Sequence, residues 1–471
     1  KNGETHDYHI PNNWFVKETH ATILPKWHGW DVIHPEYATI INVPSGISEV
    51  IIDPTNRLAD AYMPDNSSKN NITYSFDHML LEYPDWRNYE VKYKPDLWWN
   101  NYDGMKIGLN VSGGYMKHHH LFNITSWFNT SMLQEDSISE PNNYDYYSYK
   151  IDYNSHIDGV SKNTRLKLNS QFIAGLHSNK LSIEKSDNKK RNKITVDLLS
   201  LYRTNNNYVT HYNLLTGKMN NRIDINLEHT YKYSYGNGII NLKLESSAIG
   251  SDYDYNKLIL EVKNHNLINK LKIKTRTFLQ LGSGNNWAPE SKLYLAGANI
   301  EEMMNSKFTR ANGMISSDHL EYSYTTNNFH SGGGLNLRGY TGYLAPKFNE
   351  QGVVTSFDYY GTSGLAFNAE IDFSNYLPSL LNRYNINSYI FSDAGIITNE
   401  TLTKNHYTES FSDIRIDAGI GFTYSFNKFG ALENVKPLVI RLDIPFFLNR
   451  PPASDDDFIQ MRWVFGINKS F

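Results

Sequence analysis

The stretch Gly332-Gly-Gly-Leu-Asn-Leu-Arg-Gly-Tyr340 decides the fold, because it places one arginine in a glycine-rich segment of a long loop. It follows a predicted amphipathic strand at 314–330. Further along, Phe391-Ser-Asp-Ala-Gly395 carries a carboxylate that would face the same interior. We predict that Arg338 is held inside a membrane β-barrel by two acidic residues of its wall, Glu370 and Asp393.

The predicted arginine site is a structural latch and not a catalytic site. A guanidinium stays charged and offers a rigid fork of donors, so it can bridge two carboxylates. Gly339 lets the backbone pass close to the wall, and Tyr340 packs its ring while its hydroxyl stays hydrogen-bonded. The alternative is an ordinary external loop, with lumenal charges that have no relation to it.

The composition favours strands as the membrane-spanning elements. The 471 residues are 40% hydrophobic and 20% charged, with a mean hydropathy of −0.54. No run approaches the roughly eighteen apolar residues of a spanning helix. Spanning strands need only about ten residues each and alternate polar with apolar side chains, so their average looks hydrophilic. The aromatic share of 14% fits girdles at two lipid–water interfaces.

Charge and cysteine content narrow the functions further. The formal net charge of −4 gives no support for nucleic-acid binding. Cysteine is absent, which removes disulfides and thiolate zinc sites. We identify no catalytic, cofactor-binding or metal-binding residues in this chain and expect no cofactor. The chain starts at Lys1 without a signal peptide, so we expect it to be a processed or trimmed part of a longer precursor.

Three regions follow one another along the chain. Residues 1–65 are rich in Pro, Trp and His, and short strands at 38–42 and 49–53 predict the end of a small antiparallel β-sandwich. Residues 66–103 are predicted to be a linker, with tryptophans that would either anchor at the membrane interface or pack under the N-terminal part. Residues 104–471 are predicted to form the barrel.

The barrel region shows a hydrophobic period of two, and it predicts sixteen strands, an even number as in closed bacterial barrels. They lie near 104–117, 119–133, 145–157, 164–178, 179–187, 192–204, 221–235, 237–249, 254–266, 268–282, 314–330, 356–375, 384–397, 411–426, 436–448 and 458–471.

A soluble sandwich would alternate in the same way. Two features of the last five strands favour a barrel: polar faces with charges of both signs, and apolar faces of large residues along whole strands. We therefore predict an all-β fold, a sixteen-stranded antiparallel transmembrane β-barrel with a small N-terminal β-sandwich fragment.

The last predicted strand, 458–471, would close the barrel. Trp463, Phe465 and Phe471 lie on its apolar face, and Gly466 with the polar inward residues would make a weak closure. The chain ends on Phe471 in an amphipathic strand, which resembles the signal that barrel-assembly machinery recognises. Lys469 replaces a hydrophobic position of that signal.

Leu337-Arg-Gly-Tyr340 resembles the loop motif of the BamA/TamA/FhaC superfamily of outer-membrane barrels, known as bacterial surface antigens. Phe391-Ser-Asp-Ala-Gly395 looks like the strand-13 motif of that family, and Glu370 matches its strand-12 acid. Residues 415–421 and 439–445 look like its strand-14 and strand-15 signatures. The resemblance covers roughly 104–471 and implies that the loop between strands 11 and 12 folds into the lumen, with its Arg on the two acids.

A second resemblance covers about sixty residues at the start. Ile51-Ile-Asp-Pro54 and Leu58-Ala-Asp60 look like the end of the β-sandwich in gluzincin-type aminopeptidases, and peptidase-like modules fused to such barrels occur in Bacteroidota-type bacteria. No H-E-x-x-H appears in the chain. Whether the protein is an enzyme therefore stays open, and any peptidase activity would lie upstream of Lys1.

The resemblance implies a barrel in the bacterial outer membrane, with its N-terminal part in the periplasm. The leading hypothesis is protein transport or assembly at the outer membrane, through a gate at the seam of the first and last strands. The alternative is a closed barrel that serves as a membrane anchor for an upstream gluzincin-type metallopeptidase. A diffusion pore is disfavoured, because the inserted loop would block the lumen. Expected partners are outer-membrane lipid and other outer-membrane or periplasmic proteins, without nucleic acid.

Overall fold

The computed structural model forms two compact units, Lys1–Thr73 with Asp85–Tyr89, and Tyr74–Pro84 with Glu90–Phe471. It describes residues 3–11, 18–27, 35–43, 46–69, 71–78, 83–116, 118–134, 144–209, 217–311, 315, 327–348, 350–352, 354–377, 385–403, 406–426, 439–452, 458–467 and 470–471.

The first unit holds little regular structure in its described residues. β1 (Tyr8–His9) pairs in parallel with β2 (Thr22–Ile23), and a 3-10 turn spans Met63–Asn66. The strands predicted at 38–42 and 49–53 are not assigned there, apart from one isolated bridge at Ile51. The side chains that would lie between two sheets are exposed, Ile40 at 92% and Ile52 at 60%. The sandwich fragment at 1–65 therefore stays a prediction.

The second unit is built on a closed barrel sheet, which confirms the predicted all-β antiparallel barrel. Sixteen strands follow one another in chain order around it: β4 (Tyr89–Asn100), β5 (Gly104–Tyr115), β6 (His119–Asn129), β7 (Tyr147–His156), β8 (Thr164–Ile173), β9 (Leu176–Ser186), β10 (Asn192–Arg203), β11 (Asn220–Tyr233), β12 (Gly236–Ser247), β13 (Asp254–Ile268), β14 (Leu271–Asn286), β19 (Gly364–Asp372), β20 (Ile386–Thr403), β22 (Arg415–Ser425), β23 (Val439–Leu448) and β24 (Val464–Ile467).

Further short strands complete the list. β3 (Ile72–Phe76) stands between β24 and β4 in the sheet order, and β21 (His406–Phe411) pairs with the far part of β20. β15 (Leu293–Tyr294), β16 (Pro346–Phe348), β17 (Val354–Phe357) and β18 (Tyr360–Gly361) belong to the long connection between β14 and β19, as does α1 (Ile300–Met304).

Two differences from the predicted strands compensate each other. β4 lies inside the range predicted as a linker. Pro95 and two tryptophans favour a linker locally, but Pro95 pairs with Leu109 of β5. The strand predicted at 314–330 is absent from the described part of that range, where Phe329 forms a single bridge to Phe465. The long connection therefore still lies between the eleventh and twelfth strands of the barrel.

The exterior of the barrel is apolar and its interior is polar. On β19, Leu365 and Phe367 are 48% and 50% exposed, whereas the alternating residues Asn368, Glu370 and Asp372 are buried. An apolar exterior of this kind is stable in lipid, and the barrel therefore spans a membrane. No helix in the described residues is long and apolar enough to cross one.

Candidate functional site

The described residues of the connection at 287–363 fold back into the barrel and have an apolar core of their own there. Leu335, Leu337 and Tyr340 are completely buried. Their cluster includes side chains of the barrel wall, namely Phe278, Ala366, Ile397 and Leu448. β15 pairs with β18 inside this connection. We call residues 287–363 the inserted loop.

Arg338 lies at the centre of the contact between the inserted loop and the wall, with no exposed surface. Its Nε donates to Asp393 Oδ2 at 2.8 Å, and its Nη2 donates to Asp393 Oδ1 at 3.0 Å. Its Nη1 donates to Glu370 Oε1 at 2.8 Å. The guanidinium carbon lies 3.9 Å from the ring centre of Phe391. The structure thus brings together the three charged residues that the sequence analysis singled out.

The wall strands hold the acceptors in place by their register. Asn368 on β19, Asp393 on β20 and Asp417 on β22 lie side by side across the sheet. Asn368 Nδ2 donates to Asp393 Oδ1 at 3.0 Å, and also to the carbonyls of Leu335 and Asn336 at 3.2 Å. The asparagine therefore fixes both the carboxylate and the loop backbone next to Arg338.

Arg338, Gly339 and Tyr340 form one turn of 3-10 helix. A Cβ on Gly339 would lie 2.5 Å from the Cβ of Asp417, so only glycine lets this turn approach the wall. The hydroxyl of Tyr340 donates to Asn449 Oδ1 at 2.8 Å or to the carbonyl of Ile416 at 3.2 Å. The motif therefore contacts β22 as well as β19 and β20.

Asp417 is a buried carboxylate that the sequence analysis did not place in the site. It has no exposed surface, and neither of its oxygens has a hydrogen-bond partner among the described residues. It lies directly across from Asp393 in the sheet. The sequence shows its place on the polar face of the predicted strand at 411–426, which is β22 here. Its closeness to Gly339 depends on the path of the inserted loop.

A second arginine, Arg462, ties the loop to the last strand. Its Nη2 donates to the carbonyls of Asn327 and Thr341, each at 3.0 Å, and its Nη1 donates to the carbonyl of Gly339. Arg462 is 7% exposed. In the sequence, Arg462 alternates with the apolar residues of the predicted last strand, but no pattern indicates that its partners are loop carbonyls.

The residues predicted to close the barrel take different places. Trp463 is 50% exposed, Phe465 pairs with Phe329 of the loop, and Gly466 packs against Arg441 and His330. Phe471 and Ser470 line the lumenal cavity, and Ser470 Oγ accepts from Asn336 at 2.8 Å. The strand predicted at 458–471 is assigned only over Val464–Ile467 in the described residues.

His330 is buried against the same strand. Its pKa lies well below the usual value because of burial, the neighbouring Arg441 and Arg338. The ring is therefore neutral and accepts a hydrogen bond from Arg441 through Nδ1. The main chain of the loop is thus fixed on both sides of its glycine-rich segment.

A cavity of about 780 Å³ remains beside the inserted loop, against the wall formed by β8 to β14. Six basic and six acidic side chains line it: Lys180, Arg222, Lys243, Lys257, Lys263, Arg276, Asp197, Asp224, Glu245, Glu261, Glu301 and Glu302. The basic ones pair with carboxylates nearby, for example Lys180 with Asp197 at 2.7 Å and Arg276 with Glu261 at 2.6 Å. The cavity is therefore polar with balanced charge.

The described residues contain no group of three or more His, Cys, Asp or Glu side chains able to hold a metal ion. No protein-family model and no curated protein sequence matches the chain.

Several solved structures are similar to the chain at low TM-scores. BamA from Haemophilus ducreyi lacking POTRA domains 1–3 is 12% identical, with 80% of this chain and 70% of that chain covered and a TM-score of 0.36. CdiB from Acinetobacter baumannii is 11% identical, with 77% of this chain and 52% of that chain covered and a TM-score of 0.35. OpdK from Pseudomonas aeruginosa with vanillate is 10% identical, with 80% and 95% covered and a TM-score of 0.33.

Proposed function

We propose that the chain is an outer-membrane barrel of the surface-antigen, BamA-like type that acts in protein translocation or assembly, with Arg338-Gly339-Tyr340 as a latch in its lumen. The observation that carries the proposal is the set of contacts from Arg338 to Glu370 and Asp393. They hold a long loop inside the barrel between its eleventh and twelfth strands. A passage for polypeptide would weaken the barrel wall. A loop fixed in this way supports the wall at that place.

The contacts of the last strand support the same proposal. Among the described residues β24 is assigned over four, Val464–Ile467, and its neighbour Arg462 bonds to carbonyls of the inserted loop. A seam that ends in a short strand costs less to open than one with a full ladder of backbone hydrogen bonds. The geometry thus favours movement at the end of the sheet over movement elsewhere in the wall.

The orientation is part of the proposal. The connections at 130–146, 204–219 and 287–363 are long and leave the barrel at the same end, since each follows an odd-numbered strand of the sixteen. In barrels of the outer membrane the long loops face outward. β4 would then begin at the periplasmic end, and we place the N-terminal part of the chain in the periplasm.

An assembly assay tests the function. Liposomes that contain the purified protein would receive a urea-denatured eight-stranded outer-membrane barrel, and its folding would be followed by resistance to unfolding in gel sample buffer without heating. Liposomes with an equal amount of an unrelated porin are the control. Faster folding in the first set supports the proposal, and equal rates in both sets contradict it.

A second candidate is a closed barrel that anchors an upstream gluzincin-type metallopeptidase. The filling of the lumen by the inserted loop, with its apolar core against the wall, favours this reading. It predicts equal folding rates in the assembly assay. It also predicts a zinc-binding H-E-x-x-H in the precursor upstream of Lys1, and a precursor without this motif would contradict it. Conductance near zero in planar bilayers would exclude a diffusion pore.

A further inference from the structure

The apolar exterior of β9, β10 and β11 ends at one level of the barrel. Toward the turn that joins β9 to β10, the last outward apolar residue on each strand is exposed: Ile183, Ile194 and Leu227. The next outward residue on each strand is polar: Lys185, Asn192 and His229. The apolar belt of a membrane barrel ends where the lipid headgroups begin. These three polar residues therefore lie at the depth of the headgroups, at the end of the barrel opposite to the long connections.

A row of aromatic rings continues the exterior of β11 beyond this level. The rings of His229, Tyr231 and Tyr233 stack in order, with neighbouring ring centres 6.2 and 6.0 Å apart. The hydroxyl of Tyr231 donates to Asn264 Oδ1, and the hydroxyl of Tyr233 donates to Asn266 Oδ1. Both tyrosine side chains therefore reach across β12 to β13. Tyrosine has an apolar ring and a polar tip, and outward rings at this depth are typical of a lipid–water interface.

Two basic segments lie beside this row of rings. Residues 157–163 and 185–191 together carry five cations and two carboxylates. The five cations are exposed: Lys162, Lys185, Lys189, Lys190 and Arg191. The segments are joined, because Asn163 Nδ2 donates to Asn188 Oδ1 at 2.7 Å. The carbonyl of Arg191 accepts from the amide of Thr230 at 2.8 Å, so the second segment runs along the end of β11 next to the rings.

The exposed cations differ from the inward cation next to them in their partners. Lys193 points into the barrel and pairs with Glu228 at 3.0 Å. The nearest carboxylate to the turn, Asp187, accepts from the backbone amide of Arg191 at 2.7 Å and from the side-chain amide of Asn192 at 2.8 Å. It stabilises the turn and does not pair with a cation of the two segments. Within the described residues none of these five cations forms an ion pair, so the segments present positive charge to a ligand outside the barrel.

We propose that residues 157–163, 185–191 and 229–233, which we call the rim patch, bind the headgroup of an anionic phospholipid. The cations contact the phosphate, and the tyrosine rings pack against the glycerol and the first carbons of the acyl chains. Basic residues next to a membrane-spanning segment attract anionic headgroups, and the attraction grows with their number. The inference goes beyond the proposed function and does not depend on it. Only the assignment of the lipid to the periplasmic leaflet follows from the orientation proposed above.

The position of the rim patch favours a lipid over an acidic polypeptide. An acidic polypeptide in water would contact the cations of the turns. It would not reach the outward rings of Tyr231 and Tyr233, which follow directly on the lipid-facing residues of β11. A phospholipid has its phosphate at the level of the cations and its chains at the level of the apolar belt, so it contacts both at once.

The probe is phosphatidylglycerol with a photoreactive group at the start of one acyl chain, in phosphatidylcholine vesicles that contain the full chain. Phosphatidylcholine with the same group is the matched control, because it has the same phosphate and chains but no net charge. Labelled peptides are identified by mass spectrometry. We expect phosphatidylglycerol to label residues 229–235 about fivefold more than phosphatidylcholine does. The exterior of β19, with Leu365 and Phe367, is the internal reference and should be labelled equally by both lipids.

Two variants of the turn separate charge from structure. Lys189→Gln/Lys190→Gln/Arg191→Gln removes three exposed cations and should abolish the preference for phosphatidylglycerol. Lys189→Arg/Lys190→Arg keeps the charge and should keep the preference. The changed side chains are exposed, so both variants should fold, and their shift on gels without heating checks this. High salt should weaken the preference in the wild type, because it screens exposed charges.

The inference is wrong if both lipids label residues 229–235 equally, or if the glutamine variant keeps the preference. Loss of the preference in the arginine variant as well would also overturn it, because the charge is then not the cause. Inorganic phosphate at constant ionic strength should leave the labelling unchanged, and displacement by it would show a site for free phosphate and not for lipid. Equal labelling by the two lipids together with binding of poly-glutamate would assign the rim patch to an acidic polypeptide and overturn the lipid site.

Discussion

Two parts of the barrel wall both have polar inward faces, but the side chains of these faces make different contacts. In the cavity half, β8 to β14, charged side chains mostly pair with one another along the wall, as Lys180 does with Asp197 and Lys263 with Glu261, and Arg222 also pairs with Glu301 of the inserted loop at 2.6 Å. In the loop half, β19 to β24, the wall bonds to the inserted loop. Lys180 is 40% exposed, whereas Arg338 and Asp393 have no exposed surface.

The difference shows that a charged inward face does not reveal whether the adjacent lumen is open to water or filled by packed side chains of the loop. An ion pair beside a water-sized space is screened and contributes little to stability. A pair sealed between wall and loop has lost its water, so each partner depends on the other. The same alternating pattern along the strands therefore supports two local structures with different energetics.

The largest expected effect tests this contrast directly. Arg338→Ala and Asp393→Ala should each lower the free energy of unfolding by about 3–5 kcal/mol, because the first leaves Asp393 without its cation and the second leaves Arg338 with Glu370 alone. Lys180→Ala in the cavity half should cost no more than about 1 kcal/mol. Urea unfolding in micelles, followed by tryptophan fluorescence, measures all three.

The double variant of the latch is the decisive control. Arg338→Ala/Asp393→Ala should cost much less than the sum of the single variants, because both changes remove one interaction. Additive losses would mean that the two side chains act independently, and the latch would then be abandoned. A Lys180→Ala loss as large as that of Arg338→Ala would remove the distinction between the halves.

Much of the loop half could be predicted from the sequence. A period of two puts Glu370 and Asp393 on the inward face of neighbouring strands, and a glycine beside Arg338 indicates a close approach of backbone to wall. The contacts of Arg462 and Phe465 could not be predicted. They depend on where pairing along β24 ends and on where the loop runs, and neither leaves a pattern in the local sequence.

The strand count shows the same limit at the other end of the barrel. β4 contains a proline and two tryptophans, which locally favour a linker, and only pairing with β5 makes it a strand. The range 314–330 alternates like a strand, but its described residues at 327–330 bond to β24 through a single bridge. In both places tertiary contacts decide between conformations that the local sequence leaves open.

The second expected effect concerns a buried carboxyl group of the inserted loop and the pH dependence of stability that it causes. Glu290 lies in the inserted loop and is 8% exposed. Burial, with a smaller effect from Glu301, raises the pKa of Glu290 to about 7. The folded protein therefore favours the protonated form of Glu290. Its contribution to the free energy of unfolding is complete below the pKa of the unfolded chain, near 4.5, and is lost as the pH rises through about 7.

Glu290→Gln isolates this contribution. From pH 4.5 to pH 8 the wild type should lose about 3 kcal/mol more of unfolding free energy than the variant does. Unfolding by urea at a series of pH values measures the two stability curves. The difference between the curves removes the titration of the groups that both proteins share. Parallel curves would show that water reaches this carboxyl, so that the loop would not seal this part of the wall.

The third expected effect concerns the close contact of the last strand with the loop. A Cβ on Gly466 would lie 2.6 Å from Arg441 Nη2 and 2.7 Å from the carbonyl oxygen of His330. Gly466→Ala should therefore cost about 1–3 kcal/mol by overpacking. Gly159→Ala is the control, because a Cβ there meets nothing within 4 Å. Equal stability of the two variants would mean that the loop does not press on β24.

The smallest expected effect separates two aspartates that the sheet places side by side. Asp393 and Asp417 are register partners with no exposed surface, but Asp393 binds Arg338 and Asp417 has no hydrogen-bond partner among the described residues. Replacing an unpaired buried acid by an amide removes no ion pair, so Asp417→Asn should change the unfolding free energy by less than about 1 kcal/mol. Asp393→Asn should cost about 3–5 kcal/mol, because Arg338 then keeps a buried charge with one carboxylate fewer. A large loss for Asp417→Asn would show that this acid also holds the loop, and the latch would then comprise three carboxylates.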